Sequence, residues 1–408
     1  MYKSIPNFHL KIFNKYILIL IPLWWELLAL LSFIPISDLE LGSTFRSNIH
    51  TLFLIPFILF FFPFLTIKLF NIDKIITTYE KINFSFIYIF FYLFALISLF
   101  QFYFYGIPAL DPNPDVARID WEKSGNLILK ALAEITFRIS FILTAGKIIL
   151  KKKLNIINIS TIIYSFLYCY LMSTRSLFME YFFYIIMAYF IQSETIDFLK
   201  EKSVIFYKKI FKLLKRNFLY LFFGSNAIFI FILLGQIRMR GEDFNAFEYA
   251  QIDINIPLIL QPTISWLWLY LIANMHNLRL IIDESFTNDA FSNVFGGLLS
   301  AFKIVDYVEG NSYIYIGKTN LGTALRTWIM DFGPERGIIF FGLAWSLIIL
   351  IYLNTKNIHI RSSLSITIIY YGFIIPITSR IEEVVYLAPI LFLFFLDKVR
   401  NIKLFFKH

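Results

Sequence analysis

Apolar runs of membrane-spanning length alternate with short polar connectors along most of the chain. An α-helix needs roughly 20 apolar residues to cross a bilayer. Runs near that length predict spans at 16–35, 50–68, 84–105, 126–147, 155–172, 176–192, 217–235, 338–353, 363–379 and 382–397. The pattern therefore predicts an all-α polytopic membrane protein with about ten transmembrane helices.

One long polar stretch, residues 236–337, interrupts this pattern. We expect a single integral-membrane domain over residues 1–408, with transmembrane helices within 16–235 and 338–397 and a large loop between them. Because the loop is the only place with room for a sizeable polar structure, we expect the chemistry there.

Two parts of the loop have the periodicity of amphipathic helices. In residues 258–282, helical spacing relates Leu267, Leu271, Met275, Leu278 and Ile282. This part fits a helix lying in the membrane interface, and a pair of crossings with 291–305 as the return is the alternative. From Asn320 onward, a second apolar face consists of Leu321, Leu325, Trp328, Ile329 and Phe332. Gly333 and Pro334 should end that helix.

Composition supports the membrane class and changes how the charge is interpreted. Of the 408 residues, 58% are hydrophobic and only 16% are charged, and the net charge is +9. In such a chain the excess of Lys and Arg indicates orientation rather than nucleic-acid binding. The lysine-rich connectors place both termini in the cytoplasm and the large loop outside. Cys169 is the only cysteine, so no internal disulfide is expected.

Arginines are distributed differently from lysines in this topology. Most of them fall outside or in the membrane: Arg46, Arg118, Arg138, Arg175, Arg238, Arg240, Arg279, Arg326, Arg336 and Arg380. A guanidinium grips phosphate or carboxylate through two parallel hydrogen bonds. Each one alone is as well explained by a nearby Asp or Glu, but the set favours an anionic ligand on the outer face.

The fourth predicted span carries three charges at helical spacing, Lys130, Glu134 and Arg138. Ionisable residues inside a bilayer are costly and usually face a bundle interior or a wet cavity. We expect them to point inward, toward a cleft that opens to the outside, where they either add to the anion-binding set or form a structural ion-pair ladder. In the ladder, Glu134 neutralises one cation, and Glu26 or Glu180 neutralises the other.

The end of the loop resembles a known family. This segment resembles one of O-antigen polymerases of the Wzy type, also called oligosaccharide repeat-unit polymerases. The residues that carry the resemblance are Asn320, Thr323, the run Asp331-Phe332-Gly333 and Gly337, which precedes an apolar span. Three weaker similarities follow the family's order: Gly106-Ile107-Pro108, Ser173-Thr174-Arg175 and Arg238-Met239-Arg240.

The resemblance implies a GT-C-like glycosyltransferase in the bacterial inner membrane. Such an enzyme joins oligosaccharide repeat units carried on undecaprenyl pyrophosphate, on the outer face. A pyrophosphate leaving group needs fixed cations, and the attacking hydroxyl needs a base. The candidate bases are Asp331, Glu242 and His276, with Glu335 also considered. The candidate substrate-binding residues are Arg238, Arg240 and Arg326, with Arg175 and Arg380 as helpers and Lys130 and Arg138 along the cleft.

Partners and alternatives follow from the same features. The chain has no nucleotide-sugar motif and no His/Cys cluster with zinc spacing, so we expect neither cofactor nor metal. The expected partners are the lipid-linked oligosaccharide, the bilayer, a chain-length regulator and a flippase, with no nucleic acid. An O-antigen ligase-type transferase would share these features. A polysaccharide or lipid flippase or transporter is the other alternative, although it should show internal symmetry.

Overall fold

The computed structural model describes residues 13–31, 49–70, 84–124, 127–150, 152–200, 257, 261, 264–265, 268, 273–284, 325–375 and 384–405. These residues form helices joined by turns, and no β-strand occurs among them. The described part of the chain is therefore all-α.

The helices are numbered in chain order. They are α1 (Ile21–Leu31), α2 (Ile49–Leu69), α3 (Ser85–Tyr105), α4 (Pro114–Ser124), α5 (Leu127–Ile149), α6 (Ile156–Leu171), α7 (Arg175–Lys200), α8 (Ala273–Glu284), α9 (Leu325–Phe332), α10 (Pro334–Asn354), α11 (Ile358–Ile374) and α12 (Val384–Phe405). A π-helical turn, Tyr16–Leu20, precedes α1, and a 3₁₀ turn, Pro108–Leu110, follows α3.

Each predicted span that falls among the described residues overlaps one of these helices. The segments Phe13–Leu31, Ser85–Leu110 and Pro334–Asn354 are long and apolar enough to cross a membrane. Leu54–Leu69, Ile156–Leu171 and Ser176–Gln192 are shorter apolar helices. The number of about ten spans stays a prediction, and the span at 217–235 lies outside the described residues.

Helix α11 begins earlier than the apolar pattern predicts. The predicted span started at residue 363, but the helix starts at Ile358 because Asn357 caps it. The Asn357 side chain accepts hydrogen bonds from the backbone N–H groups of His359 and Ile360 at 3.0 and 3.2 Å. A helix start set by a cap can include polar residues that a hydropathy pattern excludes.

Helix α5 lies at the centre of the bundle, against α3, α6, α7, α11 and α12. Its second half is buried almost without interruption, and small residues allow neighbouring helices to approach closely. A Cβ added at Gly146 would lie 2.1 Å from Oγ of Ser363 on α11. Side chains in the second half of α5 therefore contact protein on most sides of the helix.

The lysine-bearing helix ends lie together at one end of the bundle. Lys147 near the end of α5 donates to Asn158 on α6 at 2.9 Å, and Lys398 on α12 donates to the Asn354 carbonyl of α10 at 2.9 Å. His359 at the start of α11 contacts the Leu143 carbonyl at 3.1 Å. This grouping agrees with the predicted alternation of connectors, while the membrane side on which it lies stays a prediction.

Helix α4 lies between two predicted spans and has no signal in the apolar pattern of the sequence. Its Trp121 is buried, and the Trp121 ring lies 6.0 Å from the ring of Phe102 on α3. Before α4, the Asp111 side chain accepts the Asn113 backbone N–H at 2.8 Å. This short polar helix therefore follows a candidate membrane span directly and packs back against it.

Asp397 on α12 ties the lysine-bearing end together. Its two carboxylate oxygens accept the backbone N–H groups of Lys356 and Asn357 at 3.0 and 2.8 Å, and the residue is buried. These hydrogen bonds join α12 to the turn between α10 and α11.

We predict that Asp397→Ala lowers the stability of the purified protein in detergent by about 1.5–3 kcal/mol per lost charge-assisted hydrogen bond. The reason is that two backbone N–H groups lose their acceptor. Thermal unfolding measures the change, with Asn354→Ala, an exposed side chain beside the same turn, as the control. Equal melting of both variants and the wild type would contradict this role.

Candidate functional site

Helix α9 ends in a sharp turn formed by the motif that suggested the family. The Gly333 backbone has a positive φ of 80°, a conformation that glycine adopts at little cost. Its N–H donates to the Ile329 carbonyl at 2.8 Å, and its own carbonyl accepts the Gly337 N–H at 2.8 Å. The predicted end of the amphipathic helix at Gly333 and Pro334 is confirmed.

Gly337 allows α9 to pack directly on α10. A Cβ added at Gly337 would lie 2.5 Å from the Trp328 backbone oxygen, so no larger residue fits without moving α9. Ring contacts extend the packing, between Trp328 and Phe341 at 6.0 Å and between Phe332 and Phe340 at 4.8 Å. The short helix is therefore fixed against the first turns of a candidate membrane span.

Asp331 and Arg326 both lie on α9. Asp331 is 5% exposed, whereas Arg326 is partly exposed. Of the predicted apolar face, Leu325, Trp328 and Ile329 are buried and Phe332 is half-buried. The helix thus holds a buried carboxylate and a more accessible guanidinium at the start of α10.

Helix α8 packs against α9. Met275, Leu278 and Ile282 of the predicted apolar face are buried, as are the amides of Asn274 and Asn277. His276 belongs to α8, so its backbone lies in the helix next to the one that carries Asp331. The His276 side chain is outside the described part. Whether 258–305 is interfacial or a pair of spans stays a prediction.

The other predicted site residues are only partly covered. Glu242, Arg238, Arg240 and Arg380 lie outside the described residues. Arg175 is the first residue of α7, and its side chain is not described. Lys130 is partly exposed, one turn before Glu134 on α5. Among the described residues, Asp331 and Arg326 therefore lie on α9, which packs against the helix that carries the His276 backbone, and Lys130 and Arg138 lie on a different helix, α5.

Arg138 lies in the middle of a buried ion-pair cluster. Its Nε donates to both carboxylate oxygens of Glu180 on α7 at 3.2 Å, and its Nη1 donates to Glu134 at 3.2 Å. Arg138 and Glu180 are 2% and 0% exposed, and Glu134 is 17% exposed. This agrees in part with the ion-pair ladder considered for the fourth span: the second carboxylate is Glu180 rather than Glu26, but both carboxylates pair with Arg138 instead of one with each cation.

Tyrosines complete the cluster. The Arg138 guanidinium lies over the Tyr386 ring of α12, 4.1 Å from its centroid. Tyr184 donates to Glu180 at 2.7 Å, and Tyr371 donates to the Tyr386 carbonyl at 2.8 Å. Arg138 thus connects α5 with α7 and α12, and it contacts protein, as its predicted inward position requires.

The sequence pattern indicated neither the tyrosines nor a single second carboxylate for Arg138. The spacing of Lys130, Glu134 and Arg138 was visible as a helical face. Tyr184 lies four residues after Glu180, so it could have been expected on the same face of α7. Tyr386 could not, because it meets Arg138 only through the packing of α12 against α5.

No group of three or more His, Cys, Asp or Glu side chains that could hold a metal ion occurs within the part of the chain that the structure describes.

Comparison of the chain with protein families, with characterised proteins and with solved structures finds no match. The resemblance to Wzy-type polymerases therefore stays a prediction that rests on the residues of the motif and on the hydropathy layout.

We predict that Arg138→Gln destabilises the protein by about 3–5 kcal/mol, because it leaves a buried carboxylate without its cation. The double variant Arg138→Gln, Glu180→Gln should recover a large part of that loss. Thermal unfolding in detergent measures both, and Thr136→Val, on the same helix and partly exposed, is the control.

The double variant tests whether loss of the Arg138–Glu180 pair causes the lower stability. If it melts at the temperature of the Arg138→Gln variant, Glu180 is not the charge that Arg138 neutralises.

Proposed function

We propose that this protein is an integral-membrane glycosyltransferase that joins lipid-linked oligosaccharide repeat units into a surface polysaccharide. The donor is a glycan on undecaprenyl pyrophosphate, and the reaction takes place at the outer face of the bacterial cytoplasmic membrane. The acceptor is the terminal sugar of a second carrier-linked unit.

One observation supports this proposal most strongly. Helix α9 holds Asp331 and Arg326 at the first turns of α10, a candidate membrane-spanning helix. A carrier lipid brings its pyrophosphate to the membrane boundary, so a base and a cation on a helix fixed to the end of a span suit such a donor. The same segment carries the motif that resembles the polymerase family.

The chemistry assigns a separate task to each charge. An acceptor hydroxyl attacks the anomeric carbon of the donor, and the bond between that carbon and the pyrophosphate oxygen breaks. Asp331 takes the proton of the hydroxyl, with Glu242 and His276 as the other candidate bases. Arg326, with Arg238 and Arg240, stabilises the charge that develops on the leaving pyrophosphate.

The sequence pattern placed Arg138 among the substrate-binding residues, but in this proposal it has a structural role. Its Nε and Nη1 are already bonded to Glu180 and Glu134, so a pyrophosphate would have to compete with two carboxylates. We assign Arg138 to holding the helices together. Arg175, the first residue of α7, and Arg380, which lies outside the described residues, remain proposed helpers, and Lys130 remains a proposed contact along the cleft.

We predict that Arg326→Lys lowers polymer formation by roughly tenfold to a hundredfold, because the ammonium keeps the charge but loses the two-pronged contact. Asp331→Asn should remove the proposed base and lower polymer formation by a comparable or larger factor. The assay follows polymer length from a purified lipid-linked repeat unit, with membrane insertion verified for each variant.

Lys356→Gln is the matched control, since Lys356 is exposed at the opposite end of α10. It should leave polymer length unchanged. If the Arg326→Lys and Asp331→Asn variants insert into the membrane and make polymer of normal length, α9 takes no part in the reaction. Transfer of the glycan only to an acceptor that is not carrier-linked would favour the ligase.

A further inference from the structure

A polar network at the lysine-bearing end of the bundle holds the ammonium of Lys147 in one position. Asn158 on α6, which is 0% exposed, accepts a hydrogen bond from Lys147 Nζ at 2.9 Å. Its amide nitrogen donates to the Tyr88 hydroxyl at 2.9 Å and to Thr144 at 3.4 Å. Its amide oxygen also accepts the Asn155 backbone N–H at 3.3 Å. Every hydrogen-bonding position of the Asn158 amide is thus in use.

The Lys147 ammonium is oriented without being neutralised. It lies over the Tyr88 ring, 5.3 Å from the centroid, and its hydrogen bond goes to an amide and not to a carboxylate. Among the described residues no Asp or Glu pairs with it, while the ion pairs of Arg138 show that this bundle does pair buried cations. An ammonium has three N–H donors, and Asn158 uses one of them.

Two more lysines follow within the same turn. The Lys152 backbone N–H donates to the Lys147 carbonyl at 2.9 Å, so the chain folds back over the end of α5. The side chains of Lys152 and Lys153 are exposed. The charge of Lys152 is close enough to repel that of Lys147. An anion that contacts Lys147 together with a neighbouring lysine of this turn would stabilise both positive charges.

The location indicates where that anion comes from. Tyr88 lies in the first turn of α3, and α3 belongs to the candidate membrane span Ser85–Leu110. Exposed apolar side chains, including Ile89, Phe90 and Leu93, begin directly beyond Tyr88 along α3. The cluster therefore lies where an apolar, lipid-facing surface ends, which is the depth of phospholipid headgroups.

We propose that Lys147, Lys152 and Lys153 form a binding site for the phosphate of an anionic phospholipid headgroup. Asn158 and Tyr88 position the ammonium of Lys147, and the two exposed lysines close over the phosphate from the solvent side. The acyl chains lie along the exposed face of α3. The site is at the opposite end of α10 from α9 and does not depend on the proposed reaction.

Native mass spectrometry of the full chain in detergent tests this site, with phosphatidylglycerol and phosphatidylcholine of the same acyl chains as probes. The wild type should retain phosphatidylglycerol preferentially. Since one lysine near a headgroup contributes about 1 kcal/mol, Lys147→Gln should weaken that preference about fivefold. Lys147→Arg should keep it, because the charge remains.

Asn158→Asp is the sharpest variant because it leaves all three lysines in place. It supplies Lys147 with a carboxylate inside the protein, so it should weaken phosphatidylglycerol retention as Lys147→Gln does. Lys398→Gln is the matched control, since Lys398 is a lysine at the same end of the bundle but on α12, outside the turn that carries the three lysines of the site. It should bind as the wild type does.

Three results would overturn the proposal. Equal retention of the two lipids by the wild type would show that no anionic headgroup is selected. Unchanged retention in correctly folded Lys147→Gln and Asn158→Asp proteins would place the site elsewhere. Displacement of phosphatidylglycerol by inorganic phosphate at matched concentration would assign the site to free phosphate and not to a lipid.

Discussion

The pairing of Arg138 with Glu180 and Glu134 is the interaction on which the rest of the bundle depends. An unpaired charge on a helix as buried as α5 costs several kcal/mol, so the helices that supply its partners have to stay in place. Glu180 comes from α7, Glu134 from α5 itself, and the ring over the guanidinium from Tyr386 on α12. The ion pairs thus specify which helices surround α5. Contacts between apolar side chains alone would specify these neighbours poorly.

Close backbone contact sets the position of α9 in a similar way. Gly337 brings α10 against the Trp328 carbonyl, and Gly333 supplies the positive φ that turns one helix into the next. Neither feature depends on hydrophobicity. Both fix the position of Asp331 and Arg326 relative to α10. If Asp331 and Arg326 act as proposed, their place on α9 orders them before a substrate binds, whereas groups on a flexible loop would have to be ordered by the substrate.

The sequence predicted what depends on local spacing. Apolar run length located the helices, and the interval of four residues placed Lys130, Glu134 and Arg138 on one face of α5. It could not choose between Glu26 and Glu180, because that choice depends on which helix packs beside α5. It missed α4, whose polar composition carries no span signal, and it started α11 too late because a cap overrides hydropathy. Candidate residues such as Arg238, Arg240 and Glu242 lie outside the described part, so their roles stay predictions.

The central claim is that the chain itself forms glycosidic bonds between carrier-linked units, and the products of the purified wild-type protein test it most directly. The protein would be reconstituted in liposomes with a single lipid pyrophosphate-linked repeat unit and no other enzyme. The account predicts a ladder of lipid-linked products that differ by one repeat unit, together with release of undecaprenyl pyrophosphate. Movement of the intact repeat unit across the bilayer, with no longer product and no released carrier, would contradict it and identify a transporter.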